Sequence, residues 1–181
     1  MPINKFNAPH TIKLILLALA CLIVLFNIVE LFEKITFPVD SQITEWNTES
    51  FWKAPWGNSS VHRGVDLFDD LGAKVINPSS GLVLKSGFSN NGGNYVYIIS
   101  PSLKVYYFAH LSKRLCQTGN YIRNGEPIGL VGDSGNARYS PFHLHFSIFS
   151  CVPIFRHYDF KAVLGWQKMF YLNPLEYLKN D

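Results

Sequence analysis

The chain has 181 residues, of which 48% are hydrophobic and 16% charged, a composition with room for one well-cored domain plus an appendage that excludes a disordered chain. Its formal charge of +3 is small and no basic run stands out, so nucleic acid is not indicated as a partner, whereas mild attraction to an anionic polymer or membrane surface is compatible with it. Cys21, Cys116 and Cys151 lack the C-x-x-C spacing of a structural zinc site, so any metal must be held by histidines and carboxylates.

Residues 1–11 are short, polar and mixed, and are expected to form a cytoplasmic tail that exposes His10. Residues 12–32 are almost continuously apolar, broken only by Lys13, Asn27 and Glu30. A helix of about 20 such residues spans the roughly 30 Å hydrocarbon layer of a bilayer, so a transmembrane anchor is expected here. Lys5 and Lys13 precede the acidic pair Glu30 and Glu33, an asymmetry that places the N-terminus in the cytoplasm and the rest of the chain outside the membrane. A cleaved lipoprotein-type leader is the rival, since Ala18-Leu19-Ala20 is followed by Cys21. Against it, the apolar run continues for about ten residues past that cysteine.

Residues 33–54 read as a linker or lead-in containing Pro38 and the start of an aromatic group, Trp46, Phe51, Trp52 and Trp56. Such a group either lines a groove for a sugar or peptide chain or staples the lead-in to the domain. From residue 61 onward, short runs of Val, Ile, Tyr and Phe alternate with Gly and Asn punctuation, as in an all-β domain. Strands are expected at 64–68, 74–76, 81–87, 94–100, 103–110, 127–131 and 143–149, with a turn at Asn90-Asn91-Gly92-Gly93. The fold class is therefore mainly β, a small antiparallel β-sandwich or open barrel after the N-terminal helix. Residues 160–178 have weak helical character, and His157, without a spacing partner, reads as a surface residue. Cys116 and Cys151 would lie together in an oxidising compartment, where a disulfide between them is an expectation.

Two histidine clusters carry the chemistry. In Pro141-Phe142-His143-Leu144-His145-Phe146 the two histidines share one face of a strand, because successive side chains point to opposite faces. In His62-Arg63-Gly64-Val65-Asp66 the glycine argues against a helix, and in an extended segment His62 and Asp66 also share a face. Two histidines and a carboxylate, with a fourth position left for water, is the ligand arithmetic of a catalytic zinc site.

With these clusters, Tyr107-Phe108-Ala109-His110-Leu111, Gly125-Glu126-Pro127-Ile128-Gly129 and the ending Asn173-Pro174-Leu175-Glu176-Tyr177-Leu178 in this order, the chain resembles the lysostaphin-like (LytM-type) zinc peptidases. The resemblance covers residues 55–178 and implies a zinc peptidase domain over 55–181 that cuts peptide bonds in bacterial peptidoglycan. It implies His62, Asp66 and His145 as zinc ligands, with His143 and His110 as catalytic histidines. No H-E-x-x-H glutamate is present to serve as base, so His143 is expected to take the water's proton and His110 to donate a hydrogen bond to the oxyanion. Asp133-Ser134-Gly135 and the Phe142 before His143 depart from the family pattern and touch the expected groove wall.

Two other readings compete. One is a non-enzymatic domain of the same fold that activates another wall hydrolase; such relatives typically lack the zinc ligands, which are complete here. The other is a lipoyl- or biotinyl-type carrier, suggested by Gly81-x-Val83-x-x-x-Gly87. It needs a lysine beside a methionine in a hairpin turn, and Met1 and Met169 stand elsewhere.

Overall fold

The computed structural model describes residues 9–32, 34–40, 48–57 and 59–178. Lys5, Glu33 and Trp46, which entered the sequence expectations, lie outside the described residues. Helix α1, His10–Val29, belongs to one compact unit and the sheets to another, Lys34–Asp181. The helix has 20 residues and a mean hydropathy of 2.8 over its apolar window. At 1.5 Å per residue it is about 30 Å long, long and apolar enough to cross a bilayer. His10 opens this helix instead of lying in a tail: Pro9 precedes it, and the Pro9 carbonyl accepts from Ile12 N and Lys13 N.

The second unit is built on two antiparallel sheets. The strands are β1 (Val65–Phe68), β2 (Lys74–Ile76), β3 (Gly81–Ser89), β4 (Gly93–Ile99), β5 (Lys104–Leu111), β6 (Lys113–Arg114), β7 (Tyr121–Ile122), β8 (Pro127–Leu130), β9 (His143–Ser150) and β10 (Tyr171–Leu172). The larger sheet runs β1-β9-β5-β4-β3-β7, with β10 also paired to β9; the smaller runs β2-β8-β6. Strands β1 and β10 share one edge of β9, pairing with its first and second halves respectively. The Asn90-Asn91-Gly92-Gly93 turn links β3 and β4, with Ser89 opposite Gly93.

Alternation along the central strands divides the large sheet into two faces. Leu144, Phe146 and Ile148 of β9, Tyr106 and Phe108 of β5, Val96 and Ile98 of β4, and Val65 and Leu67 of β1 are fully buried and form the core. The register Asp66↔His145, Ala109↔His145, Tyr107↔Ser147 and Val105↔Phe149 places the intervening residues together on the opposite face. That face carries the candidate site.

The described part of the expected lead-in is stitched into this unit. Ile35 N donates to Tyr177 O, Ile76 N to Pro38 O and Asp40 N to Lys74 O, while Ile35 and Val39 are buried. Trp52 is buried as well, its indole N–H donating to Val163 O at 2.8 Å. At the other end, residues 160–178 are not a helix. They hold a 3₁₀ turn at Gly165–Met169, strand β10, and the single helical turn α2, Pro174–Tyr177, which Asn173 caps through a bond from Leu175 N. Proline is tolerated at a helix start but not inside one, so no helix can run through Pro174 and α2 begins there.

The expected disulfide is absent: Cys116 is a buried free thiol bonded to Ile128 O, and Cys151 is a free, exposed thiol. His157 is partly buried against the Tyr177 hydroxyl, 3.4 Å away, rather than standing alone on the surface.

Candidate functional site

All five histidine and aspartate residues singled out in the sequence meet on the open face of the large sheet. Asp66 and His145 are cross-strand partners on β1 and β9, so their side chains project side by side. His62 reaches them from the segment before β1. That segment is aligned by two backbone bonds to the lead-in, Trp52 N to His62 O at 2.7 Å and His62 N to Lys53 O at 3.0 Å. Asp66 Oδ1 lies 2.9 Å from His145 Nδ1 and 3.3 Å from His62 Nε2, and the two ring nitrogens are 3.0 Å apart.

Hydrogen bonds behind the triad decide what those atoms present. His62 Nδ1 donates to the Ser50 carbonyl at 3.0 Å, leaving a lone pair at Nε2. On His145, Nε2 lies 3.0 Å from Ser147 Oγ, to which it donates when the lone pair is at Nδ1. A single proton on His145 Nδ1 would satisfy the edge to Asp66, but the His62–Asp66 edge would still set one lone pair against another. A cation at the centre satisfies all three. Ligands about 2.0–2.1 Å from a tetrahedral zinc are about 3.3 Å apart, close to the edges observed, so this donor set fits zinc.

The electrostatics agree. In the metal-free protein burial works against ionisation of Asp66, but hydrogen bonds from His145 and His62, made when protons sit on their triad-facing nitrogens, outweigh it and hold the carboxyl well below the usual carboxylate range. Burial lowers the His145 pKa despite the opposing pull of Asp66. Both groups are thus kept in their ligating forms at neutral pH.

His143 and His110 flank the triad. Their ring centroids are 5.0 Å apart, and that of His110 is 6.0 Å from that of His145. His143 follows from strand alternation, two residues before His145. His110 does not. Between the pairs Asn94↔Leu111 and Val96↔Phe108, β4 has one residue and β5 has two, Ala109 and His110. This β-bulge, with His110 at a left-handed φ of 62°, turns a side chain that alternation would send toward the core onto the site face. Leu111 then returns to the core, fully buried.

Each of these two rings is pinned through Nδ1 to a carbonyl, His110 to Ser134 O at 2.9 Å and His143 to Pro141 O at 2.8 Å. Each neutral ring therefore carries its lone pair at Nε2. Burial lowers the His110 pKa to about 4, so His110 is a neutral acceptor at Nε2 near neutral pH. The donor role expected for it requires a second proton on that ring.

Several groups support the site in ways the sequence does not specify, although Ser134 and Trp56 stand in stretches it associates with a groove. Ser134 accepts from His110 through its carbonyl while its hydroxyl donates to Leu111 O at 2.7 Å and accepts from Asn94 N, tying the loop to the bulge. Trp56 stacks on the His62 ring at 4.1 Å between centroids, so within the aromatic group Trp52 staples and Trp56 borders the site. A Cβ at Gly64 would meet Ser147 Oγ, the Phe146 carbonyl and, at 2.9 Å, His145 Nε2. The glycine between His62 and Asp66 thus serves close approach to β9. A cleft of about 200 Å³ over the triad is bordered by Trp56, His62, Asn91, His110, Asn136 and His145 among others.

A sequence profile of peptidase family M23 matches residues 60–154, more than half of the chain and the whole span from His62 to His145. The chain belongs to peptidase family M23. This M23 chain is 34% identical over 90 residues to the peptidoglycan DD-endopeptidase ShyC of Vibrio cholerae, covering 50% of this chain and 20% of that protein. It is 37% identical over 91 residues to lysostaphin of Staphylococcus simulans, covering 49% of this chain and 18% of that protein. It therefore spans about a fifth of the length of these curated relatives. Its fold is lysostaphin-like: the catalytic domain of S. simulans lysostaphin superimposes with a TM-score of 0.58 at 28% identity, covering 72% of this chain and 89% of that domain.

Proposed function

We propose that this M23 chain is a zinc metalloendopeptidase that hydrolyses peptide cross-links of bacterial peptidoglycan, with residues 12–32 as its membrane anchor and residues 55–181 as its extracytoplasmic peptidase domain. The observation that carries this reading is the convergence of three ligand atoms, His62 Nε2, Asp66 Oδ1 and His145 Nδ1, beside two histidines whose Nε2 atoms make no hydrogen bond among the described residues.

Bound zinc supplies Lewis acidity, polarising a peptide carbonyl and lowering the pKa of a water toward about 7. The remaining work falls to the chain. His143 takes the attacking water's proton at Nε2 and returns it to the leaving amine; the Pro141 carbonyl, bonded to Nδ1–H, holds the ring in place and keeps the lone pair at Nε2. His110 orients the water through its Nε2 lone pair and becomes a donor to the developing oxyanion only if a proton reaches that nitrogen. Ser50, Ser147 and Trp56 fix the two ligand rings.

The test is digestion of purified peptidoglycan by the zinc-loaded full chain in detergent, with mass analysis of the fragments. New amino termini that disappear with chelation and return with zinc are expected. Intact cross-links under zinc, or cleavage by His145→Ala at the wild-type rate, would falsify the proposal.

A further inference from the structure

Beside the cleft over the triad lies a second cavity of about 380 Å³, bordered by Tyr97, Val105, Ser147, Phe149 and Tyr171, with Arg63, Tyr107 and His145 shared between the two. Its floor continues the site face along β9, since Ser147 and Phe149 stand two and four residues beyond His145 with Tyr107 and Val105 opposite them. Two strand residues advance by about 7 Å, roughly the spacing of alternate side chains in an extended peptide. The cavity thus suits a substrate side chain one or two residues from the bond over the triad.

Arg63 is the charged group in this lining, and it is built in. Its Nε and Nη2 both donate to Gln167 Oε1, at 3.2 and 2.9 Å, and its guanidinium lies 5.3 Å from the centre of the Tyr171 ring. No carboxylate pairs with it among the described residues. A neutral amide orients the cation without neutralising it. Of its five N–H groups the Gln167 oxygen takes two, which leaves the edge formed by Nη1 and Nη2 free for the two parallel bonds of a carboxylate fork. The rest of the lining is mostly aromatic, which lowers the local dielectric beside the guanidinium and strengthens such a pair.

Resting on the peptidase reading above, we propose that this cavity is a specificity subsite in which Arg63 recognises a free carboxylate on the peptide near the scissile bond. The substrate class is then a peptide bearing an unamidated carboxyl, in preference to a neutral bridge of the same length. Arg63 is a specificity-determining residue, and Gln167 and Tyr171 position it.

The experiment compares two probes, soluble cross-linked muropeptides and the same material with all carboxyls converted to primary amides, cleaved by zinc-loaded full chain in detergent. Wild type should cleave the acid form with a kcat/KM about tenfold or more above the amide form, chiefly through KM, as a charged fork implies. Arg63→Gln should collapse that ratio toward one with zinc content maintained, and Arg63→Lys should restore part of it as a point charge. Equal cleavage of acid and amide by wild type overturns the subsite and leaves the peptidase reading standing, as does an undiminished ratio in Arg63→Gln. Cleavage of neither form overturns both.

Discussion

His145 and His143 are two residues apart, yet removing each should have a different consequence, because one ring lends its lone pair to the triad and the other lends it to a proton. His145→Ala or Asp66→Ala should lose zinc and turnover together. His143→Ala and His110→Ala should keep stoichiometric zinc and lose activity, mainly in kcat, by about 10² to 10⁴. Zinc content and cleavage rate measured on all four variants check this, and a zinc-loaded His143→Ala enzyme of wild-type rate would sink the assignment. Acid should destabilise the metal-free protein through the same rings. His110 has a folded pKa of about 4, lowered by burial, against an unfolded value of about 6.5. Between these pH values the unfolded chain binds the proton first, so this contribution is complete above about 6.5 and lost as pH falls to about 4. It amounts to about 3 kcal/mol at most, and His145 acts in the same direction. Urea unfolding of the chelated protein should show a lower midpoint at pH 4.5 than at pH 7, and His110→Gln should reduce the difference. Equal midpoints for the wild type would refute the effect.

Strands β1, β2, β3, β4, β5, β8 and β9 were legible as short runs rich in Val, Ile, Leu, Tyr and Phe set off by Gly, Asn and Pro. Strands β6, β7 and β10 have two residues each, too few for any period to show. The helical character of residues 160–178 is overridden by pairing of β10 to β9 and by Pro174. The identities of the five site residues were likewise legible, but their supports were not. Ser50, Pro141 and Ser134 act through backbone carbonyls, which any residue carries, and the bulge that turns His110 onto the site face depends on a pairing mismatch between two strands. The tight crossing of the His62–Asp66 segment over β9 gives an element-scale prediction. Gly64→Ala puts a methyl against Ser147 Oγ, Phe146 O and His145 Nε2, so β1 must move off β9 or the His145 ring must tilt. Zinc affinity should fall by about tenfold or more, in the range seen when groups supporting a ligand are disturbed, while the buried core strands keep the fold. Competition with a chelator measures the affinity and circular dichroism the fold. Unchanged affinity would show that the close approach does not govern the ligand.

At the scale of the whole chain, the question is how α1 is used, since an apolar helix of 20 residues beginning at His10 serves equally as an anchor or as a leader. Cys21 lies within the helix, with the apolar residues Leu22 to Val29 still to come apart from Asn27. Processing at Cys21 would therefore cut a segment that matches the bilayer thickness only when whole. The basic Lys13 near its start and the acidic Glu30 just after its end favour an inserted helix with the M23 domain outside. Anchoring by the helix does not use the Cys21 thiol, whereas a lipoprotein depends on it for the attached lipid. Cys21→Ser therefore separates the two. The anchored form should stay in the membrane fraction through alkaline carbonate extraction with its mass changed only by the substitution, and a periplasm-dependent reporter fused after residue 181 should remain active. Release of the variant into the soluble fraction, or a wild-type chain beginning at a lipid-modified Cys21, would establish the lipoprotein instead.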